Sequence, residues 1–167
     1  MRPFGAFFKQ FRIILLFLAV LLGVYTGLRI LFWIDNRDFF IGSNWKEGLE
    51  IFAWGLRMDL SGLVILNLPV FLFIFLAQIF HTKNKLFIII ALSLFILLNI
   101  SGLAINIIDI GYFPFNKHRS NIDLRYVFAD SAKSFKKIIL IYWPLVLLFF
   151  LLSVGLIRLA KKYLWPN

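Results

Sequence analysis

Residues 86–108 read LFIIIALSLFILLNISGLAINII, a run without one charged side chain. As a helix rising about 1.5 Å per residue it reaches roughly 34 Å, enough to cross about 30 Å of bilayer hydrocarbon. Three further stretches behave alike, at about residues 13–34, 60–80 and 138–157, the first interrupted only by Arg29 near its far end. The whole chain of 167 residues is 62% hydrophobic and 16% charged, with a mean hydropathy of +0.90. A water-soluble domain has about 25% charged residues and no place for so much apolar surface. Disorder and soluble enzymes are excluded on the same ground. The sequence predicts an all-α polytopic membrane protein: one transmembrane domain over 1–167, with four transmembrane helices and two short interfacial amphipathic helices at the outer side.

Charge placement sets the expected orientation. With the N-terminus inside, the short inner segments hold Arg2, Lys9, Arg12, Lys83, Lys85, Arg158, Lys161 and Lys162 and no acid, while all eight acids fall outside. Short, dense, unneutralised basic segments mark the cytoplasmic side. N-in and C-in in a bacterial inner membrane is the expectation, and the net charge of +10 then records topology rather than nucleic-acid binding. The tryptophans agree, because Trp33, Trp45, Trp54, Trp143 and Trp165 all fall near interfaces, where an amphipathic ring is favoured. Cysteine is absent, so disulfides and thiol chemistry are excluded.

Both outer loops have helical patterning. In the first, Ile41, Trp45, Leu49, Phe52 and Leu56 recur at helical spacing, and Asn44 with Glu47 resembles a capping box. A short helix in the outer interface is expected, with a loop helix packed on the bundle as the other reading. The second loop opens with an expected irregular stretch over 110–116, which contains Gly111 and Pro114. A capping box at Ser120 and Asp123 follows, then Leu124, Phe128 and Phe135 along one side of a helix. Lys133, Lys136 and Lys137 suit either that helix's C-terminal dipole or anionic headgroups.

Polar residues within spans are costly and therefore informative. On the third span Asn99, Gly102, Asn106 and Asp109 are spaced three, four and three apart, so they share one face, which must look into the bundle. Asp109 at the outer end needs a cation. Arg29, Arg57 and Arg119 lie at a similar depth, and Arg29 is expected to pair with Asp59 or Asp109. Arg57 and Arg119 then remain for an anionic lipid headgroup, whose phosphate a guanidinium fork matches. Mutual neutralisation without a ligand is the competing reading. Gly23 and Gly27 fit a small-xxx-small packing pattern, Pro69 is expected to kink the second span, and Pro144 is tolerated at the start of the fourth. No catalytic or metal constellation is found. His81 and His118 fall on opposite sides of the membrane, and no H-E-x-x-H, P-loop or G-x-S-x-G occurs.

Three stretches carry a resemblance. The run Trp54-Gly55-Leu56-Arg57-Met58-Asp59-Leu60-Ser61, followed by Asn67-Leu68-Pro69, resembles the second-span segment of lipoteichoic acid synthase-like proteins of the Bacteroidetes type, in the alkaline phosphatase/sulfatase superfamily. Asn106-Ile107-Ile108-Asp109 with Gly111-Tyr112-Phe113, and Lys117-His118-Arg119-Ser120 with Asp123-Leu124, resemble two further stretches of that family in the same order. The resemblance covers nearly all of this chain but only the front of the family's, where a fifth span and an extracytoplasmic α/β domain are expected to follow. It implies a metal-dependent phosphoglycerol transferase or hydrolase, with a threonine nucleophile and a divalent metal, usually manganese, in that catalytic domain. None of those catalytic residues matches here. The implied role is anchoring and presentation of an anionic lipid-linked substrate, with membrane lipids as partners. A small non-enzymatic membrane subunit that binds a larger partner, or a transporter fragment, are the alternatives.

Overall fold

A computed structural model describes residues 3–40, 44–79, 85–116 and 140–164. Four long helices account for most of them: α1 (Pro3–Asp35), α2 (Trp45–Ile79), α3 (Lys85–Asn116) and α4 (Trp143–Leu164), with one 3-10 turn at Arg37–Phe40. Each contains a segment long and apolar enough to cross a bilayer. Leu16, Val20, Ile65, Leu72, Leu97 and Leu151 all project from the bundle with half or more of their surface uncovered. Such an exterior is stable only against hydrocarbon, so the chain is a multi-pass membrane protein.

The helices run up-down-up-down. Phe11 meets Phe71 and Arg29 meets Asp59 across antiparallel α1 and α2, while Phe17 meets Phe95 and Phe32 meets Phe113 across parallel α1 and α3. Pro3 and Leu164 therefore share a near end, and Asp35, Trp45, Asn116 and Trp143 a far end. At the centre stands α3, which packs on all three neighbours; α4 leans chiefly on α3 and only lightly on α1. The core is mixed by depth. Toward the near end it is apolar, with Ile14, Leu18, Val70, Leu92 and Phe95; from mid-bilayer to the far end it takes in Asn67, Asn99, Tyr25, Asp59, Asp109 and Asn36.

The boundaries differ from the sequence expectation at three places. First, the amphipathic stretch at Trp45–Leu56 is not a separate interfacial helix but the opening turns of α2. No proline or run of glycines lies between it and the second span, so the i to i+4 ladder continues. The capping geometry at its start is real: Glu47 Oε2 accepts from the Asn44 backbone N–H at 3.2 Å, and the Asn44 carbonyl accepts from Gly48 N–H at 3.0 Å. Second, residues 110–116 are not irregular, since α3 runs through Gly111 and Pro114 to Asn116. Pro114 has no N–H to give the carbonyl of Ile110, but Asn36 Nδ2 donates to that carbonyl from the end of α1 at 3.3 Å. A neighbouring helix thus repairs the break. Third, α4 starts at Trp143 and ends at Leu164, later at both ends than expected. The Tyr142 carbonyl accepts from the N–H groups of Leu145 and Val146 and opens the helix, where Pro144 needs no donor. Lys161 and Lys162 in the last turn favour continuation against the helix dipole. Pro69 is accommodated inside the continuous α2. The second expected interfacial helix, with Ser120, Asp123, Leu124, Phe128 and Phe135, lies outside the described residues, as do His81 and His118.

Candidate functional site

Arg29 sits on α1 nearly two turns below Asp35, a depth at which an unpaired guanidinium is not tolerated. Its Nη2 lies 2.7 Å from Asp59 Oδ2 and its Nε donates to the same oxygen at 3.2 Å. Nη2 also donates to the Gly55 carbonyl at 2.8 Å, one turn before Asp59 on α2. Gly55 is there because the guanidinium lies flat across it: a Cβ at that position would collide with Arg29. The side chains of Arg29 and Asp59 are 13% and 9% exposed, so each neutralises the other away from water. Removing one member of such a pair costs about 3–5 kcal/mol, because the other charge is stranded.

Arg57 follows a different geometry. Two residues along an α-helix turn the side chain about 200°, so Arg57 faces away from the bundle while Asp59 faces into it. It is exposed, its guanidinium carbon is 5.3 Å from the Trp54 ring centroid, and no carboxylate lies within ion-pair distance among the described residues. A guanidinium beside an indole at the edge of the hydrocarbon combines a cation–π contact with a donor fork still open for an anion. Its backbone carbonyl is used locally and accepts from Ser61 Oγ at 2.9 Å. Arg119 lies outside the described residues. Asp109 is buried on α3, 7% exposed, at the same level of the bundle as the far-end core. Of the two carboxylates named for Arg29, the one in contact is Asp59.

The polar face of α3 is occupied step by step. Asn99 and Asn67, each 0% exposed, exchange amide hydrogen bonds: Asn99 Nδ2 donates to Asn67 Oδ1 at 2.8 Å, and Asn67 Nδ2 returns one to Asn99 Oδ1 at 3.2 Å. Both Nδ2 groups also donate within their own helices, to Phe95 and Leu63 carbonyls. Gly102 accepts the side chain of Tyr25 from α1, whose hydroxyl occupies the space a Cβ would need. That hydroxyl and Asn36 Oδ1 are buried without a hydrogen-bond partner. Asn106 Nδ2 donates back to the Gly102 carbonyl at 3.0 Å. Beyond Asp109, the Tyr142 ring rests on Gly111, its carbons 3.1–3.4 Å from where a Cβ would stand. Burial raises the Tyr142 phenol above its usual range and the Asp35 carboxylate adds to it, so the group stays protonated and neutral.

Sequence reasoning gave no individual role to Gly55, Asn67, Tyr25 or Asn36, although Gly55 and Asn67 stand in the stretches that carry the resemblance. Two of them carried a signal. Gly55 and Asn67 stand four before and eight after Asp59, on the same face of one helix. Tyr25 sits in a span rich in aromatic residues and Asn36 just past the end of α1, and neither has such a marker.

The site as described holds charges and amides but no nucleophile paired with a base. No group of three His, Asp or Glu side chains that could hold a metal occurs among the described residues. No family model matches this chain, and neither a curated protein nor a solved structure matches it significantly.

Proposed function

We propose that this chain is the membrane domain of a lipoteichoic acid synthase-like, sulfatase-type phosphoglycerol transferase or hydrolase of the bacterial inner membrane. Its termini are cytoplasmic, so the far end of the bundle meets the outer leaflet. Its work there is to anchor the enzyme and to present an anionic, lipid-linked substrate to a manganese-dependent catalytic domain above the outer leaflet. The observation that carries this reading is the contrast between two arginines on one rim. Arg29 is consumed by Asp59 and Gly55, whereas Arg57 is exposed beside Trp54 with no carboxylate at ion-pair distance among the described residues. A phosphate bound there would gain charge-assisted hydrogen bonds at a fixed position, which is the contribution of positioning to a later transfer step. The resemblance of Trp54–Ser61, Asn106–Phe113 and Lys117–Leu124 to the family's front segment supports the same assignment.

The test is the lipid selectivity of the protein reconstituted into nanodiscs of mixed phosphatidylglycerol and phosphatidylcholine, read as enrichment of phosphatidylglycerol on the protein. Arg57→Ala is expected to weaken the preference for the anionic lipid about tenfold or more, the value of a hydrogen bond to a charged group. Arg119→Ala is expected to act in the same direction. An unchanged preference in both variants, with unchanged thermal unfolding, overturns the headgroup role. The second reading, a small non-enzymatic membrane subunit, draws on Trp45 and Leu49, which stand exposed at the far end of α2. It predicts a protein that co-purifies without crosslinker and is lost in Leu49→Asp.

A further inference from the structure

From mid-bilayer toward the near end the bundle contains a feature that the outer-rim reading does not use. Between α1 and α4 lies a groove of about 150 Å³. Phe17, Val20 and Val24 form one wall, Leu151 and Gly155 belong to the other, and Leu103 of α3 is part of the floor. Its lining is apolar, and an apolar space of this size stays dry. The groove exists because α4 packs on α3 and barely reaches α1, and because Gly155 leaves its own position open: a Cβ there would meet nothing within 4 Å.

The groove has a charged mouth. Leu151, Gly155, Arg158 and Lys162 are spaced four, three and four apart, so they share one face of α4. The apolar pair belongs to the groove, and the basic pair continues its edge toward the near end. Both bases are exposed, and neither has a carboxylate within ion-pair distance among the described residues. Lys162 is steadied 5.0 Å from the Tyr163 ring. From Leu151 to Lys162 the helix rises about 16 Å, against roughly 15 Å for half the hydrocarbon thickness. A chain whose tail lies at Leu151 therefore has its headgroup at the level of Arg158 and Lys162.

We propose that this groove is a binding site for one anionic phospholipid of the leaflet at the near end, its acyl chain between α1 and α4 and its phosphate on Arg158 and Lys162. Charge selects the occupant. A bilayer fills any apolar groove with hydrocarbon, but only a lipid with net negative charge gains from two unneutralised bases at the mouth. The site lies at the opposite bilayer face from Arg57 and is independent of the outer-rim assignment.

Native mass spectrometry of the detergent-purified full chain carrying Arg57→Ala and Arg119→Ala, which remove the outer-rim guanidinium groups, titrated with phosphatidylglycerol or phosphatidylcholine, tests it. In that background the chain is expected to retain one phosphatidylglycerol in preference to phosphatidylcholine, and the variants below are made in it. Arg158→Gln and Lys162→Gln should each lower that preference roughly fivefold, the value of one base at a membrane surface. Gly155→Leu fills the groove from α4 and Val20→Phe from α1; each should abolish retention of both lipids while thermal unfolding stays as in the wild type. Retention unaffected by both filling variants overturns the site. Equal retention of the two lipids in the Arg57→Ala, Arg119→Ala background overturns the headgroup contact. Disulfide-linked dimers of Gly155→Cys, formed in membranes without loss of monomeric lipid binding elsewhere, would assign the groove to a second copy and overturn the proposal as well.

Discussion

Tyr25 and Gly102 illustrate how single atoms set the packing of this bundle. The Tyr25 hydroxyl is buried, unpartnered and lodged where the Cβ of any other residue at 102 would go. Removing an unsatisfied buried hydroxyl relieves a desolvation cost, so Tyr25→Phe is expected to leave thermal stability in detergent unchanged or raised. Gly102→Ala should destabilise by about 1–3 kcal/mol through overpacking. The two changes together should cost less than Gly102→Ala alone, because the colliding oxygen is gone and the ring carbon behind it stands at an ordinary 3.6 Å. A double-mutant cycle read by thermal unfolding checks this; strict additivity would show that the two positions do not touch. The three-four-three spacing on α3 is enough to mark Gly102 as bundle-facing. It does not name Tyr25, since an aromatic in a span rich in aromatics carries no periodic signature.

At the scale of elements, the spans are legible in the sequence and their ends are not. Hydrophobic length finds the middle of a transmembrane helix because the bilayer imposes it. Ends depend on where backbone donors and acceptors find partners, and those partners can come from elsewhere in the chain. Pro114 shows this most clearly. Read locally, Gly111 and Pro114 end a helix; in the bundle, Asn36 donates to the carbonyl that Pro114 leaves bare, and the helix continues. Asn36 Nδ2 also donates to the Phe32 carbonyl at 3.0 Å, so one amide closes α1 and mends α3. Asn36→Ala is therefore expected to destabilise by about 1–3 kcal/mol, the cost of stranding a buried acceptor. In a Pro114→Ala background the loss should shrink, because the substituted residue supplies its own backbone N–H to the Ile110 carbonyl. Equal losses in the two backgrounds, measured by thermal unfolding, would mean that the Asn36 contact to Ile110 carries no weight. The Asn67–Asn99 exchange belongs to the same scale. Spacing alone identifies Asn99 as a packing amide, but its partner requires knowing which residue of α2 lies opposite.

For the whole molecule, composition alone decides the solvent, and the up-down-up-down arrangement places Pro3 and Leu164 at one side of the bilayer. The proposed orientation rests on the basic residues at the near end and the acidic ones at the far end. Cysteines introduced at Asp38 and at Lys161 in this cysteine-free chain test it in intact cells. A membrane-impermeant maleimide is expected to label Asp38→Cys from outside and to reach Lys161→Cys only after lysis; the reverse pattern inverts the topology. In that orientation the polar half of the core faces the periplasmic leaflet and the apolar half the cytoplasmic one. The division follows from where Asn67 and Asn99 stop: below them, among the described residues, no buried side chain asks for a hydrogen bond except Ser153 on α4, near mid-bilayer.

The unbroken course of α2 has a mechanical consequence. Its 35 residues make a rod of about 52 Å, of which only some 30 Å can be immersed in hydrocarbon. Trp45 and Leu49 ride on the free length as one arm of a lever, Arg29 grips the shaft at Gly55 and Asp59 like a fulcrum, and the amides of Asn67 and Asn99 clasp the other arm. A push delivered to the protruding tip therefore arrives as torque at mid-bilayer, with Pro69 the first joint able to absorb it.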